Sequence, residues 1–377
     1  MFGLFPADES RSWLAGPAAH TSRLGIKIRG QSTRNNAKPS YSIELRGRAS
    51  DDAPAALAGM PADSDWVLYA PFYWDRTMMH NVFAYDLSRK IGRYAPRTEY
   101  CEVFLVTEGS PVTMASYVGV YVLTERLTRS PDRIDVDKLR AGDTTLPALS
   151  GGYIVKADKA DVEGEGFTAA DLSLVYDEPS ADDITPQQKT YITSYLDSCK
   201  RAVSASDGTD PITRRHYSEL IDVPSFIDHH ILNLLLKNPD AFLFSSYLHK
   251  PREGKLVAGP LWDFDRAMGT HEASDDRSQD PHYWGPNQES QMFRRSFWEQ
   301  LFDHPEFAAQ YWARLDTLLA STFTSANFRA TVDALERQVS EAEARNRARW
   351  PESAPHADSY AEEVEALRAW LDARLKW

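Results

Sequence analysis

The sequence predicts an α+β protein, with short strands crowded into its first third and helices dominating its second half. Alternation with a period of two recurs in Gly25-Ile-Lys-Ile-Arg29, Tyr41-Ser-Ile-Glu-Leu45, Tyr100-Cys-Glu-Val-Phe-Leu-Val106 and Tyr117-Val-Gly-Val-Tyr-Val-Leu123. From Pro186 onward apolar residues recur at helical spacing instead. At about 150 residues per domain, 377 residues suggest two bodies. The loop Ser130-Pro-Asp-Arg133 marks the boundary, giving a small, mostly β part over 1–127 with one helix and a larger helical part over 128–377.

Taken in order, the strands at Gly25–Arg29 and Tyr41–Leu45 flank the turn-rich Gly30-Gln-Ser-Thr-Arg-Asn-Asn-Ala-Lys-Pro39. Asp75 is placed to cap a helix that runs to about Ile91 and closes at Gly92, with Met79, Phe83, Leu87 and Ile91 on its core face. Tyr100–Val106 and Tyr117–Leu123 form a hairpin around Gly109-Ser-Pro111, and Gly151–Lys156 is a further short strand. The acidic stretch after it, to about Asp183, reads as loop. A helix from Pro224 to Lys237 ends ahead of Pro239, because a residue before proline avoids helical geometry. Strands at Phe244–Lys250 and Lys255–Leu261 follow, and Phe297–Trp377 is helical.

Composition excludes several function classes. The net charge of −13 and pI near 5.3 oppose general binding to nucleic acid, whose phosphates the chain as a whole repels. Cys101 and Cys199 supply neither a disulfide framework nor a thiolate metal site. No stretch approaches the ~20 apolar residues of a membrane span, and the first residues do not read as a signal peptide. His229 and His230 are neighbours on a helix, about 100° apart, and cannot chelate together. His271 and His282 have no partners at ligand spacing, so zinc chemistry is not expected. Neither GxSxG, GxxxxGK[ST] nor GxGxxG occurs.

Three constellations remain. Asp240, in the loop Asn238-Pro-Asp240, and Asp263, at the end of Gly259-Pro-Leu-Trp-Asp263, are 263 − 240 = 23 residues apart, the reach of a short hairpin. A loop acid and a strand-end acid across a hairpin can share one cleft, as in protein kinases, and can hold a hard cation together with substrate phosphates. Asp265 follows two residues on. Singly, each acid reads better as a turn or strand-end residue, and only their joint arrangement points to a site. Second, Arg23 to Arg48 contains seven basic residues against Glu44, for 7 − 1 = +6. Its turn, with Ser32 and Lys38, can cover an anion such as a nucleotide phosphate, or be a solvated hairpin. Third, Tyr117–Arg126 is a strand leading out of the first part with Glu125 at its exit. It reads either as a core strand or, in a kinase-like body, as the strand that continues into the hinge touching the adenine.

The ordered series Ile28-Arg-Gly-Gln-Ser-Thr-Arg34, Lys38-Pro-Ser-Tyr41, Trp74-Asp-Arg-Thr-Met-Met79, Gly119-Val-Tyr-Val-Leu-Thr-Glu125, Gly151-Gly-Tyr-Ile-Val-Lys156 and Pro260-Leu-Trp-Asp-Phe-Asp265 resembles the CotH (spore coat protein H) kinase-like family. The likeness covers roughly residues 24–320, with a helical tail of the family's kind beyond. It implies a two-lobed atypical protein-kinase-like fold, ATP with Mg²⁺ or Mn²⁺, and phosphorylation of protein Ser or Thr. Asp240 then falls on the catalytic-loop acid, and Asp263 on the metal-binding acid with Asp265 in support. Arg29, Ser32, Lys38, Glu125 and Lys156 fall on the nucleotide side. Ser245 stands where family members often carry asparagine as a metal ligand. A hydroxyl is the poorer magnesium ligand, which leaves open one-metal catalysis, weak activity or another transferred group. Two other classes compete: a nucleotide-binding or adhesive module without catalysis, suggested by Ser245 and the aromatic His282-Tyr-Trp284, and a metal phosphohydrolase using its DxD pair. Label arriving from the α-phosphate would instead indicate nucleotidyl transfer.

Overall fold

The computed structural model describes every residue except 6, 9, 10, 31, 107–108, 160–165, 271–278, 283–296 and 377, and the side chains of 7, 8 and 32. The protein is mixed α+β and divides into two compact units that do not follow chain order. One comprises Met1–Arg76, Pro96–Arg126 and Arg337–His356. The other comprises Thr77–Ala95, Leu127–Glu336 and Ala357–Trp377. A single cut near residue 127 misses the early helix assigned to the second unit and the late segment assigned to the first.

The first unit is built on an antiparallel sheet in the order β1 (Phe2–Leu4), β4 (His20–Arg29), β5 (Ser40–Arg46), β6 (Asp65–Tyr69), β8 (Tyr117–Glu125) and β7 (Thr98–Phe104). The short strands β2 (Ala7–Asp8) and β3 (Arg11–Ser12) pair separately. The basic hairpin is in register through Ile26 opposite Ile43, with a short 3₁₀ turn, Ser32–Asn35, between its strands. Ile43, Leu45, Trp66, Leu68, Tyr121 and Leu123 alternate onto one face of this sheet and form the unit's core with Leu57 and Met60.

The second unit holds the antiparallel sheet β10 (Gly166–Ala169), β11 (Leu172–Glu178), β9 (Tyr153–Ala157), β12 (Ser246–Lys250) and β13 (Val257–Ala258). Its helices are α1 (His80–Lys90), α2 (Pro186–Ser204), α3 (Tyr217–Leu220), α4 (Val223–Leu235), α5 (Trp298–Leu301), α6 (Pro305–Leu319), most of the first half of α7 (Ser325–Arg349), and α8 (Tyr360–Arg374). Thr185 caps α2 by accepting from the Gln188 N–H, and Gln188 returns a side-chain acceptor to Thr185.

Three expectations need correction. The stretch read as loop to Asp183 contains β10 and β11, because Leu172, Leu174, Val175 and Tyr176 are buried, while Asp171 precedes β11 and Asp177 and Glu178 close it. The first helix starts at His80 rather than at an Asp75 cap, since Met78 takes a left-handed φ of 63° that no helix can include. The hairpin before Asp263 is shorter than expected, with only Leu248–Ala258 and His249–Val257 paired between its two strands. His271, Tyr283 and Trp284 lie outside the described residues.

Candidate active site

The second unit carries Asp240, Ser245, Asp263 and Asp265 on two short segments, and of these side chains it brings Ser245 and Asp263 into direct contact. The first segment begins at the end of α4. Asp222 caps that helix by accepting from the Ser225 N–H at 2.8 Å, and Pro224 occupies its first turn, where no N–H is needed. At its other end Lys237 turns left-handed at φ 50°, and the Asn238 N–H reaches back to the Asn233 carbonyl at 3.1 Å. This is the six-to-one bond of a glycine-type helix stop, here made with a lysine and followed by Pro239.

Asn238 is the hinge pin of the site, and the sequence reading passed over it. Its Oδ1 accepts from the Asp240 N–H at 3.1 Å, while its Nδ2 donates to the Asp263 carbonyl at 3.3 Å. One buried amide thus fixes both acid-bearing segments against each other. Beyond Asp240 the N–H groups of Leu243 and Phe244 turn back onto its carbonyl. Ser245, left-handed at φ 51°, then donates from Oγ to Asp263 Oδ2 at 3.0 Å.

The second segment, Trp262-Asp-Phe-Asp265, is held by α1. Trp262 stacks on Tyr85 at 6.1 Å between centroids, and the Tyr85 hydroxyl accepts from the Asp263 N–H at 3.2 Å. Asn81 Oδ1 accepts from the Phe264 N–H at 2.6 Å, and His80 Nδ1 lies 3.0 Å from the Asp265 carbonyl. Asp263 itself is left-handed at φ 66°. A non-glycine residue in that region costs on the order of 1 kcal/mol and persists where surroundings over-determine it. At Gly269, φ 85°, a Cβ would fall 2.8 Å from Trp370 Cδ1, so only glycine fits the turn beneath α8. The signal for Asn81 and Tyr85 was present as polar groups beside the apolar stripe of Met79, Val82, Phe83 and Leu87, all of which are buried as expected.

The carboxylates carry different partners. Arg266 Nη1 lies 3.1 Å from Asp240 Oδ1 and 3.2 Å from its Oδ2. Asp265 is 8% exposed, and its carbonyl also accepts from Thr270 Oγ1 at 3.0 Å. Lys156 is buried on β9, opposite Tyr247 of β12, and its Nζ pairs with Asp158 Oδ2 at 3.0 Å.

The remaining expected residues belong to the first unit. Arg29 ends β4, and Ser32 opens the 3₁₀ turn. Lys38 does not face outward from its loop: it is 1% exposed, and Nζ donates to the carbonyls of Pro71 at 2.9 Å and Val120 at 2.6 Å and to Asn346 Oδ1 at 3.0 Å. Burial lowers its pKa to about 7. Glu125 is fully buried and accepts from the Arg97 N–H, Nε and Nη2 at 2.7–2.9 Å. Part of the basic island is also spent internally, with Arg46 paired to Glu44 at 2.5 Å.

Among the described residues no group of three His, Cys, Asp or Glu side chains could hold a metal ion. Mg²⁺ takes hard ligands, keeps several waters and needs only one or two carboxylates beside substrate phosphates, a donor chemistry that the Asp263 carboxylate and the neighbouring Ser245 hydroxyl match. No described helix is long and apolar enough to cross a membrane.

A search of curated proteins returned no match to the chain. The family model described as CotH kinase protein matches residues 26–377, nearly its whole length and including both acid-bearing segments. The chain therefore belongs to the CotH kinase protein family.

Proposed function

We propose that the chain is an ATP- and Mg²⁺-dependent phosphotransferase acting on protein Ser or Thr residues, with Asp240 and Asp263 as its paired acids. The observation that carries this reading is the Asn238 amide, which holds Asp240 through its N–H and Asp263 through its carbonyl. Family membership supports the reaction class.

Asp263 would hold the metal with Ser245 beside it, and the bound metal would supply charge neutralisation for the nucleotide phosphates. Asp240 orients the acceptor hydroxyl and takes its proton. Asp263 is pre-set for its role by Tyr85 and Asn238 on its backbone and by Ser245 on its carboxylate. Such catalysis is positioning and charge compensation rather than covalent chemistry by the protein. Lys156 is the nucleotide-side cation of this unit, steadied by Asp158.

A second reading, nucleotide binding without transfer, is favoured by Ser245. Its hydroxyl is engaged with Asp263 and offers a metal less than an amide oxygen does. Incubation with γ-labelled ATP and Mg²⁺ or Mn²⁺ separates the two, using wild type, Asp240→Ala and Asp263→Ala. Label on protein with wild type and a loss of at least about 100-fold in both variants is expected. Equal labelling by all three would sink the assignment. A nucleotide-dependent rise in melting temperature with no transfer would establish the binding module, and label from the α-phosphate would redirect the reaction to nucleotidyl transfer.

A further inference from the structure

We propose that the outer edge of β4, from Arg23 to Arg29, is a docking strand for an extended peptide segment whose residues alternate between apolar and acidic. This edge lies in the first unit and is independent of the phosphotransferase reading.

The strand β5 pairs with all of this stretch, from Arg23 opposite Arg46 to Arg29 opposite Ser40. On the other side β1 covers only His20, Thr21 and Ser22. Among the described residues, no strand pairs with β4 on that side beyond Ser22. A strand with one paired neighbour turns alternate backbone N–H and C=O groups outward, and such an edge accepts a further strand. From Arg23 to Arg29 it offers a length of about 24 Å. Gly25, Ile26, Lys27 and Ile28 are exposed, and a Cβ placed on Gly25 would meet nothing within 4 Å.

The side chains on the two faces of this edge select the partner. Residues directly opposite on β4 and β5 share a face. Ile26 and Ile28 lie opposite Ile43 and Tyr41, on the face that carries the unit's core, yet they are 46% and 47% exposed. An added strand with apolar residues at alternate positions would continue the core over both isoleucines. The opposite face of β4 carries Arg23, Lys27 and Arg29. Arg23 Nη1 donates to the Arg48 carbonyl at 2.8 Å, and Glu44, the one acid on β5, is held by Arg46 at 2.5 Å. An incoming strand therefore meets cations on that face, in a chain whose net charge is −13. Acidic residues at its remaining alternate positions complement them, while its backbone supplies the ladder.

The same charges disfavour a second copy of the chain as the occupant. Antiparallel pairing of two such edges about Ile26 would set Arg23 against Arg29 and bring the two Lys27 side chains onto one face. Like charges opposite one another destabilise a ladder, and edge lysines are a common device against self-pairing.

The test is fluorescence anisotropy of a labelled, end-capped peptide that alternates valine and glutamate over the length of the edge. Its counterparts are a valine–lysine peptide and a valine–glutamate peptide methylated on every backbone nitrogen. Wild type is expected to bind the first saturably and each counterpart at least about tenfold more weakly. Lys27→Glu should weaken binding of the glutamate peptide about tenfold and strengthen binding of the lysine peptide, a reversal that a merely damaged fold does not give. Ile28→Thr, on the other face, should weaken the glutamate peptide about threefold. No binding of the glutamate peptide, or equal binding of its methylated form, overturns the proposal. A wild-type dimer that the peptide dissociates would make a second copy the occupant and overturn it as well. Binding of an oligothymidylate, lost in Lys27→Glu, without binding of the peptide would reassign the face to nucleic acid.

Discussion

Asn238 sits beside the candidate catalytic acid, and its single amide addresses both halves of the site. Asn238→Asp keeps the acceptor for the Asp240 N–H and loses the donor to the Asp263 carbonyl. A displacement of about 1 Å between reacting groups can cost about 100-fold in rate. The expected result is therefore a 10- to 100-fold loss of label transfer. The accompanying loss of about 1–3 kcal/mol in stability, for a buried polar group left unpaired, is read from denaturant midpoints. Residue identity explains why this was hard to see beforehand. Asp240, Asp263, Asp265 and Ser245 announce themselves because carboxylates and hydroxyls do chemistry, and the structure places all four in one unit. Asn238 works through two backbone groups, and no spacing rule in the chain marks those partners. Lys38 shows the opposite difficulty. A lysine in a basic loop looks like a phosphate ligand, yet its ammonium is spent on Pro71, Val120 and Asn346, the last of them 308 residues away. Lys38→Met should cost about 3 kcal/mol or more, since it strips donors from three buried acceptors, measured as a drop in unfolding free energy.

Secondary-structure elements explain how the acids are held. The helix α4 delivers Asn238 and Asp240, and α1 grips the segment carrying Asp263. The late helix α8 supports the end of α4: Arg374 donates to the carbonyls of Leu234 at 2.7 Å and Leu235 at 3.1 Å, and also to that of Pro281 at 3.0 Å. A cation on the last carbonyls of a helix satisfies groups that no intrahelical partner reaches and complements the helix dipole. Burial lowers the Arg374 pKa to about 9, so its charge survives at neutral pH. Arg374→Met is expected to destabilise the protein by about 3 kcal/mol or more and to lower label transfer together with stability. A melting temperature within 2 °C of wild type, roughly the shift expected of a sub-kcal/mol change, would contradict this account of α8. At this scale the alternating strands and the apolar stripes of α1 and α4 were legible from their periods, whereas the burial of the polar residues between those stripes, such as Asn81 and Asn233, was not. The strands β10 and β11 were not, since their acidic ends outweighed a short buried run. The start of α1 was missed because a local left-handed residue, Met78, overrode a plausible cap.

For the molecule as a whole, family membership and an α+β architecture agree with the ordered motifs, while the division into units follows contacts and not chain order. No composition rule shows that Arg337–His356 belongs with the early strands, because that grouping rests on contacts at long range such as Lys38 to Asn346. Acid stability is a property of the whole chain, and two histidines of α4 set part of it. Burial lowers His229 to a pKa of about 4 and His230 to about 3, with His230 stacked on Phe242 at 5.3 Å and its Nδ1 3.0 Å from the Tyr311 hydroxyl. The folded protein keeps both rings neutral, whereas the unfolded chain protonates them near pH 6.5. Below that pH the unfolded state binds more protons, so stability is complete above about 6.5 and falls steadily as the pH drops towards 4. By pH 5 the loss should approach about 2 kcal/mol per histidine, seen as a lower urea midpoint. His230→Gln should flatten that slope, and an unchanged slope would remove the histidines from the explanation. Phe242 follows Asp240 by two residues, so acid unfolding should disturb the site early.

The central claim is that Asp240 and Asp263 divide the labour of phosphoryl transfer within one preset pair. The most direct measurement takes MgATP affinity and γ-phosphoryl transfer side by side for Asp240→Asn and Asp263→Asn. The account predicts that Asp240→Asn binds MgATP within a few-fold of wild type and loses at least about 100-fold in transfer, whereas Asp263→Asn loses the Mg²⁺-dependent part of binding itself. Transfer by both variants at the wild-type rate, with Mg²⁺-dependent binding intact, would contradict it.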